Sequence, residues 1–262
     1  DIDYLLRQCR QQFPERTLFA IGYSLGGNAL CKWLGEQSAG VIDGAVIVSA
    51  PYQLARCSTR MDKGFSRVYR RQLISELIDY IDRKKALFNR LGQFDYLRQL
   101  ESLGSLQGIR SFWQFDHQVI APLHGFASAA DYYERCSARQ FVPFIRTPTL
   151  LVHAQDDPFM PEDVAPSPDE CPDCVKLVLT PKGGHVGFVL ASELLNNGLP
   201  WKGGYWLEQH IPDWLQQLHK GSSRNAALNA YPSLHSPKHP SSASDTYQGA
   251  SVAVKIPTRR ES

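Results

Sequence analysis

An α/β fold, with a mostly parallel sheet interrupted by a helical insertion, is what this sequence predicts. Three observations carry the prediction. An apolar, β-prone run (Thr17 to Ile21) passes through Gly22-Tyr23-Ser24-Leu25-Gly26 into a helix-prone run from Asn28 through Trp33 and Leu34. A continuous apolar stretch from Gly44 to Ala50 follows and is closed by Pro51. Two more strand-like runs, Thr149 to Ala154 and Val175 to Thr180, come only after a long block of helical periodicity. Continuous apolar runs suit parallel strands covered on both faces, and strand-helix-strand is a right-handed βαβ unit.

Length and composition fit this reading. A chain of 262 residues can bury one sizeable core. The net charge is +2, and no basic stripe is interleaved with aromatics, so nucleic acid has no support as a partner. No apolar run reaches the length of a membrane-spanning helix. The six cysteines (Cys9, Cys31, Cys57, Cys136, Cys171, Cys174) are scattered and read as reduced residues, which points to a cytoplasmic location. Cys171-Pro-Asp-Cys174 has the spacing of a zinc half-site but no second pair to complete it, so we expect no metal and no cofactor.

The elements are justified in turn. Ile2, Leu5, Leu6, Cys9 and Phe13 recur at helical spacing before Pro14. A sharp strand-to-helix turn then holds Ser24, with small neighbours at Gly22 and Gly26 expected to accommodate it. The helix after it runs over 28–38 and stops at Gly40. Residues 1–51 form the first part of the core. Residues 52–147 are the helical insertion: Phe65, Val68, Tyr69, Leu73, Leu77 and Ile81 share one face, Tyr96 to Leu106 is a second helical piece, and Ala127 to Cys136 a third. An insertion of this length is expected as a cap over the carboxyl ends of the strands. Residues 148–219 complete the core with two strands and a last helix from Tyr205 to Leu218, which Pro212 should kink or divide. Residues 220–262 are rich in Ser and Pro, with no apolar face, and read as a disordered tail.

Three residue types in one chain order give the candidate chemistry. A serine hydroxyl is a weak nucleophile until a base takes its proton, a histidine titrates in the right range, and a carboxylate fixes the tautomer. Ser24, an aspartate after the third strand and His185 after the fourth stand in the order nucleophile, acid, base. Of eight histidines only His185 lies in a loop just after the last strand, within Gly183-Gly184-His185-Val186-Gly187. Asp157 is chosen as the acid because Ala154-x-x-Asp157 with Pro161 fits the usual spacing, and Asp156 stays open as the alternative. The backbone N–H of Leu25, at the start of a helix, is the candidate oxyanion donor.

With these residues in view, the chain resembles the YheT-like α/β-hydrolases. The matching stretches include Gly22-Tyr23-Ser24-Leu25-Gly26-Gly27-Asn28, Lys63-Gly64-Phe65-Ser66-Arg67-Val68-Tyr69, His153-Ala154-Gln155-Asp156-Asp157-Pro158-Phe159-Met160 and Gly183-Gly184-His185-Val186-Gly187-Phe188. The resemblance implies an α/β-hydrolase fold and hydrolysis of carboxylic esters by Ser24, Asp157 and His185. The substrates expected are small-molecule esters with short or medium acyl chains, acylglycerols among them. Such proteins carry strands before the nucleophile and a second oxyanion donor there. This chain has no room for them, so we expect it to be part of a longer one and poorly active alone. A signal or membrane anchor upstream of Asp1 stays open. Two other readings also stay open: an acyltransferase on the same three residues, and a binding module that has lost catalysis.

Overall fold

The computed structural model describes residues 1–37, 40–189 and 204–220. Four strands, β1 (Phe19–Tyr23), β2 (Gly44–Val48), β3 (Thr149–Ala154) and β4 (Val175–Thr180), form one parallel sheet in the order β1-β2-β3-β4. The register places Phe19 beside Gly44, Ala45 beside Thr149 and Thr149 beside Val175, so the strand ends are level. Every residue of β2 and β3 is buried.

The period-two alternation of β2 explains how the sheet is covered. Ala45 and Ile47 face a core shared with Leu30, Cys31 and Leu34 of helix α2 (Ser24–Glu36). Val46 and Val48 face the opposite way, onto Leu207, Ile211 and Trp214 of the last helix, Trp206–His219. Successive strand side chains point to opposite faces, so a continuous apolar run serves both layers. The first helix, α1 (Ile2–Gln12), lies on the α2 side, with Leu6 in that core and Arg10 bonded to Asp43 and to the Val41 carbonyl.

Between β2 and β3 the chain forms helices joined by short turns and loops. It contains α3 (Leu54–Arg60), α4 (Ser66–Arg90), α5 (Phe94–Glu101), α6 (Phe112–Phe115), a π-helical turn (Asp116–Ile120), α7 (Ala121–His124), α8 (Ala129–Cys136) and a 3₁₀ stretch (Ala138–Phe144). This insertion has its own small core of Ile81, Leu100, Leu103, Leu106, Phe115 and Val119. It meets the sheet layer at the strands' carboxyl ends. Ser66 Oγ donates to the Pro158 carbonyl at 2.7 Å, and the Tyr69 ring packs edge-on against Phe159.

Three details differ from expectation. The helix after Ser24 begins at Ser24 itself, four residues earlier than its apolar pattern, because the helix needs no apolar contact in its first turn. The last helix, α9 (Trp206–His219), runs through Pro212 as one element. The proline removes a single backbone bond, and the burial of Ile211 and Trp214 on either side holds the helix together. The short α3 was not anticipated, since seven residues give too little periodicity. The tail expected from 220 onward lies outside the described residues, apart from Lys220.

Candidate active site

Ser24 stands where β1 ends and α2 begins. Its φ is +49°, a left-handed conformation that costs a non-glycine residue energy and is retained only where the surroundings enforce it. The enforcing contact is a close approach of strand and helix. A Cβ on Gly22 would lie 2.8 Å from the Gly26 carbonyl oxygen and from Gly27 Cα. A Cβ on Gly27 would meet the Gly22 carbonyl oxygen at 3.0 Å and Ala50 and Ile47 at 3.2 Å. Gly26 has nothing within 4 Å of its would-be Cβ among the described residues. The close approach therefore requires glycine at Gly22 and Gly27, whereas Gly26, the second small neighbour expected, packs on Gly22 through its carbonyl and has open space at its own Cβ position.

His185 reaches this turn from beyond β4. Its Nε2 lies 2.9 Å from Ser24 Oγ, and its Nδ1 lies 2.7 Å from Asp157 Oδ2. A carboxylate only accepts, so Nδ1 carries the proton and Nε2 is left to accept from the serine hydroxyl. The side chain of Asp157 is 1% exposed and that of His185 16%. The second oxygen of Asp157 accepts the Phe159 N–H at 2.9 Å. The structure thus brings Ser24, His185 and Asp157 into one hydrogen-bonded series at the carboxyl ends of three parallel strands. Asp156, the alternative acid, turns elsewhere: its Oδ1 accepts the backbone N–H groups of both Gly183 and Gly184 at 2.9 Å. Leu25 is the second residue of α2, so its N–H has no acceptor within the helix.

Three supports of the histidine loop were not read from the sequence. Ser49, just past β2, also has a φ of +49°, and its hydroxyl donates to the His185 carbonyl. Asp156 holds the two glycines before His185, and Gly184 takes a φ of +64°. The Phe159 ring lies 4.8 Å from the imidazole. A serine directly after a buried strand and a second aspartate beside the first were the only signals available. Asn28, buried in α2, supports the serine side of the site instead. Its amide donates to the Cys136 carbonyl and accepts from the Ala138 N–H, both at 2.9 Å, which ties the helix behind Ser24 to the insertion.

Among the described residues, the other histidines and the cysteines lie outside this hydrogen-bonded series. His153 is fully buried in β3 with neither ring nitrogen hydrogen-bonded among the described residues, and burial lowers its pKa, which favours the neutral ring. His219 bonds to Thr17, and His210 stacks on Trp206. Cys171 Sγ donates to the Ser167 carbonyl and Cys174 Sγ to the Ile145 carbonyl, and burial pushes the Cys171 thiol up to about 11. Of the aromatics in the insertion, Phe115 belongs to its core, Trp113 packs on Tyr133, and Phe126 on Tyr132. Tyr69 alone of these touches a neighbour of His185, through Phe159.

A parallel sheet with helices on both faces, and a serine, a histidine and a carboxylate joined at its carboxyl edge, define an α/β protein with a hydrolase-like site. A family model for the alpha/beta hydrolase fold matches residues 1–192, and the chain belongs to that family. It is 42% identical to "Putative esterase YheT" of Escherichia coli (strain K12) over 216 residues, 82% of this chain and 59% of that protein. It is 28% identical to "Embryogenesis-associated protein EMB8" of Picea glauca, across 91% of this chain and 50% of the other. It is 31% identical to the monoacylglycerol lipase of Saccharomyces cerevisiae, across 72% of this chain and 42% of that one. The chain therefore spans about half the length of these relatives.

Proposed function

We propose that the protein hydrolyses carboxylic esters through Ser24, His185 and Asp157. The observation that carries this reading is the hydrogen-bonded series from Ser24 Oγ to His185 Nε2 and from His185 Nδ1 to Asp157 Oδ2. In the reaction, Nε2 takes the hydroxyl proton as Ser24 Oγ attacks the ester carbonyl. The carbonyl oxygen becomes an oxyanion facing the Leu25 N–H at the positive end of α2. The tetrahedral centre collapses as His185 returns the proton to the leaving alkoxide, which departs as an alcohol and leaves an acyl-Ser24 ester. Water, deprotonated by the same nitrogen, then releases the acid. Asp157 keeps the proton on Nδ1 and stabilises the imidazolium. The relatives named as esterase and monoacylglycerol lipase support small acyl esters, with acylglycerols among them, as the substrates.

The test is labelling of the full-length protein by a fluorophosphonate, which reacts only with an activated serine. We expect stoichiometric modification of Ser24 and none in Ser24→Ala. Wild-type protein that hydrolyses no ester and takes no label would sink the proposal. Faster transfer to an added alcohol than to water would reassign the chemistry to acyl transfer on the same residues.

A further inference from the structure

Between the insertion and Pro161, in the loop that follows Asp157, lies a cavity of about 420 Å³ that the ester chemistry does not use. Arg56, Thr59 and Arg60 of α3 line it, together with Lys63 from the following turn, Trp113 of α6 and Pro161. Residues 56, 59 and 60 share one face of α3, and Lys63, in the turn just beyond it, lines the same cavity. Three of the lining residues are cations. Arg56 is shared outward, with Nη2 on Asp163 at 2.6 Å and Nη1 on Gln53 at 2.7 Å. Arg60 makes one long contact, at 3.4 Å to Ser66 Oγ, and neither Arg60 nor Lys63 has a carboxylate partner among the described residues. Asp62, the acid between them, is turned to Arg70. One carboxylate, Asp163, thus stands against three cations.

The cavity also has an apolar wall. The Trp113 indole is fixed edge-on against Tyr133, at 4.6 Å between ring centroids, and its Nε1 donates to Thr59 Oγ1 at 3.1 Å. Its hydrogen-bonding atom is spent on the protein, which leaves the ring itself as a surface. Converging cations without acids of their own repel one another, and an anion between them removes that cost. The volume lies within the range of roughly 300–1,000 Å³ typical of small-molecule sites.

We propose that this cavity binds the anionic group, phosphate or carboxylate, of a small organic molecule whose apolar or aromatic part lies against Trp113. Arg60 and Lys63 supply the charge, and Arg56 completes the rim. The site stands on the geometry of α3 and α6, and it holds whether or not Ser24 is the nucleophile.

Phenyl phosphate, with phenol as its neutral counterpart, is the probe for the test. Titration of the full-length protein is followed by calorimetry and by tryptophan fluorescence. Phenyl phosphate should bind saturably where phenol does not, and the fluorescence change should vanish in Trp113→Phe. Affinity should fall about tenfold or more in Arg60→Gln/Lys63→Gln, as expected for losing two charge-assisted contacts. It should be unchanged in Arg98→Gln, which removes a cation from α5. No saturable binding, or equal affinity in a double variant that melts at the wild-type temperature, overturns the proposal. Should the double variant fail to fold, Lys63→Gln on its exposed turn carries the same test with a smaller loss. Aryl esters with and without a terminal carboxylate then distinguish the source of the anion. If the anion is part of the substrate, the double variant raises KM for the charged ester alone. If it is a separate ligand, both esters respond alike to added phenyl phosphate.

Discussion

Strand β3 buries all six of its residues, whereas α4, with 25 residues, buries Ser66, Ile74 and Ile81. The central strands β2 and β3 are covered on both faces, by the core that α2 shares on one side and by α9 on the other. The insertion is a thinner layer, with two small cores and long exposed stretches that include Phe65, Val68, Tyr69 and Leu73. The residues of the candidate series all hang from the carboxyl ends of sheet strands, so their positions inherit the rigidity of the sheet. The insertion supplies walls. It touches the site through few contacts, chiefly Ser66 to Pro158 and Tyr69 to Phe159. A substitution should therefore act on position and chemistry in the sheet layer, and on recognition or local stability in the insertion.

The largest effect should come from Asp157→Asn, which keeps the shape but offers an amide to Nδ1. Turnover should drop by about 10⁴-fold with the melting temperature little changed, since the wrong tautomer then faces Ser24. A similar loss from a conservative change in the insertion would break the contrast. Next, Leu151→Ala in the middle of β3 should cost roughly 2–5 kcal/mol in denaturant unfolding, from lost burial and the cavity left behind. Asp156→Ala should release Gly183 and Gly184 and lower turnover by up to about 100-fold, the scale of a small misplacement of a base. Adding free imidazole should restore little of it, because the ring remains present but displaced.

A smaller, pH-dependent effect belongs to the insertion. Burial pushes Asp116 up to about 6, against the lowering effect of the hydrogen bond it accepts from Tyr133. With the folded value above the unfolded one, the native state holds the proton more tightly. The stability that this proton confers is complete below about pH 4 and is lost as pH rises through about 6. Asp116→Asn should melt at a temperature that gains on wild type between pH 4 and 7 and stays parallel outside that window. A gap that is flat with pH would show that the carboxylate is relieved by water. The smallest effect is expected for Leu73→Ala on exposed α4, within about 0.5 kcal/mol of wild type.

The sheet was legible because buried parallel strands are written as unbroken apolar runs. Thr149–Ala154 and Val175–Thr180 appear at the predicted residues, and β1 is shifted by two. The order of Ser24, Asp157 and His185 was legible for the same reason, since each follows such a run. What no local pattern could reveal was contact across the fold. Nothing near Ser49 says that its hydroxyl will meet a residue 136 positions later, and nothing near Asp156 says that it will hold two glycines instead of the imidazole. The π-helical turn at Asp116 and the 3₁₀ stretch at Ala138 were equally hidden, because the first packs within the insertion and the second against Asn28 of α2, 110 residues away in the chain.

The histidine loop has one further consequence. It is gripped through its backbone at Gly183, Gly184 and the His185 carbonyl, and through the ring by Asp157. A base tethered in this way has little freedom to lose when a substrate arrives. The entropy of placing it was given up once, when the chain folded, and is not given up again at each turnover. Heat should reveal the link: rate per folded molecule should keep rising until the sheet itself melts, with no earlier optimum.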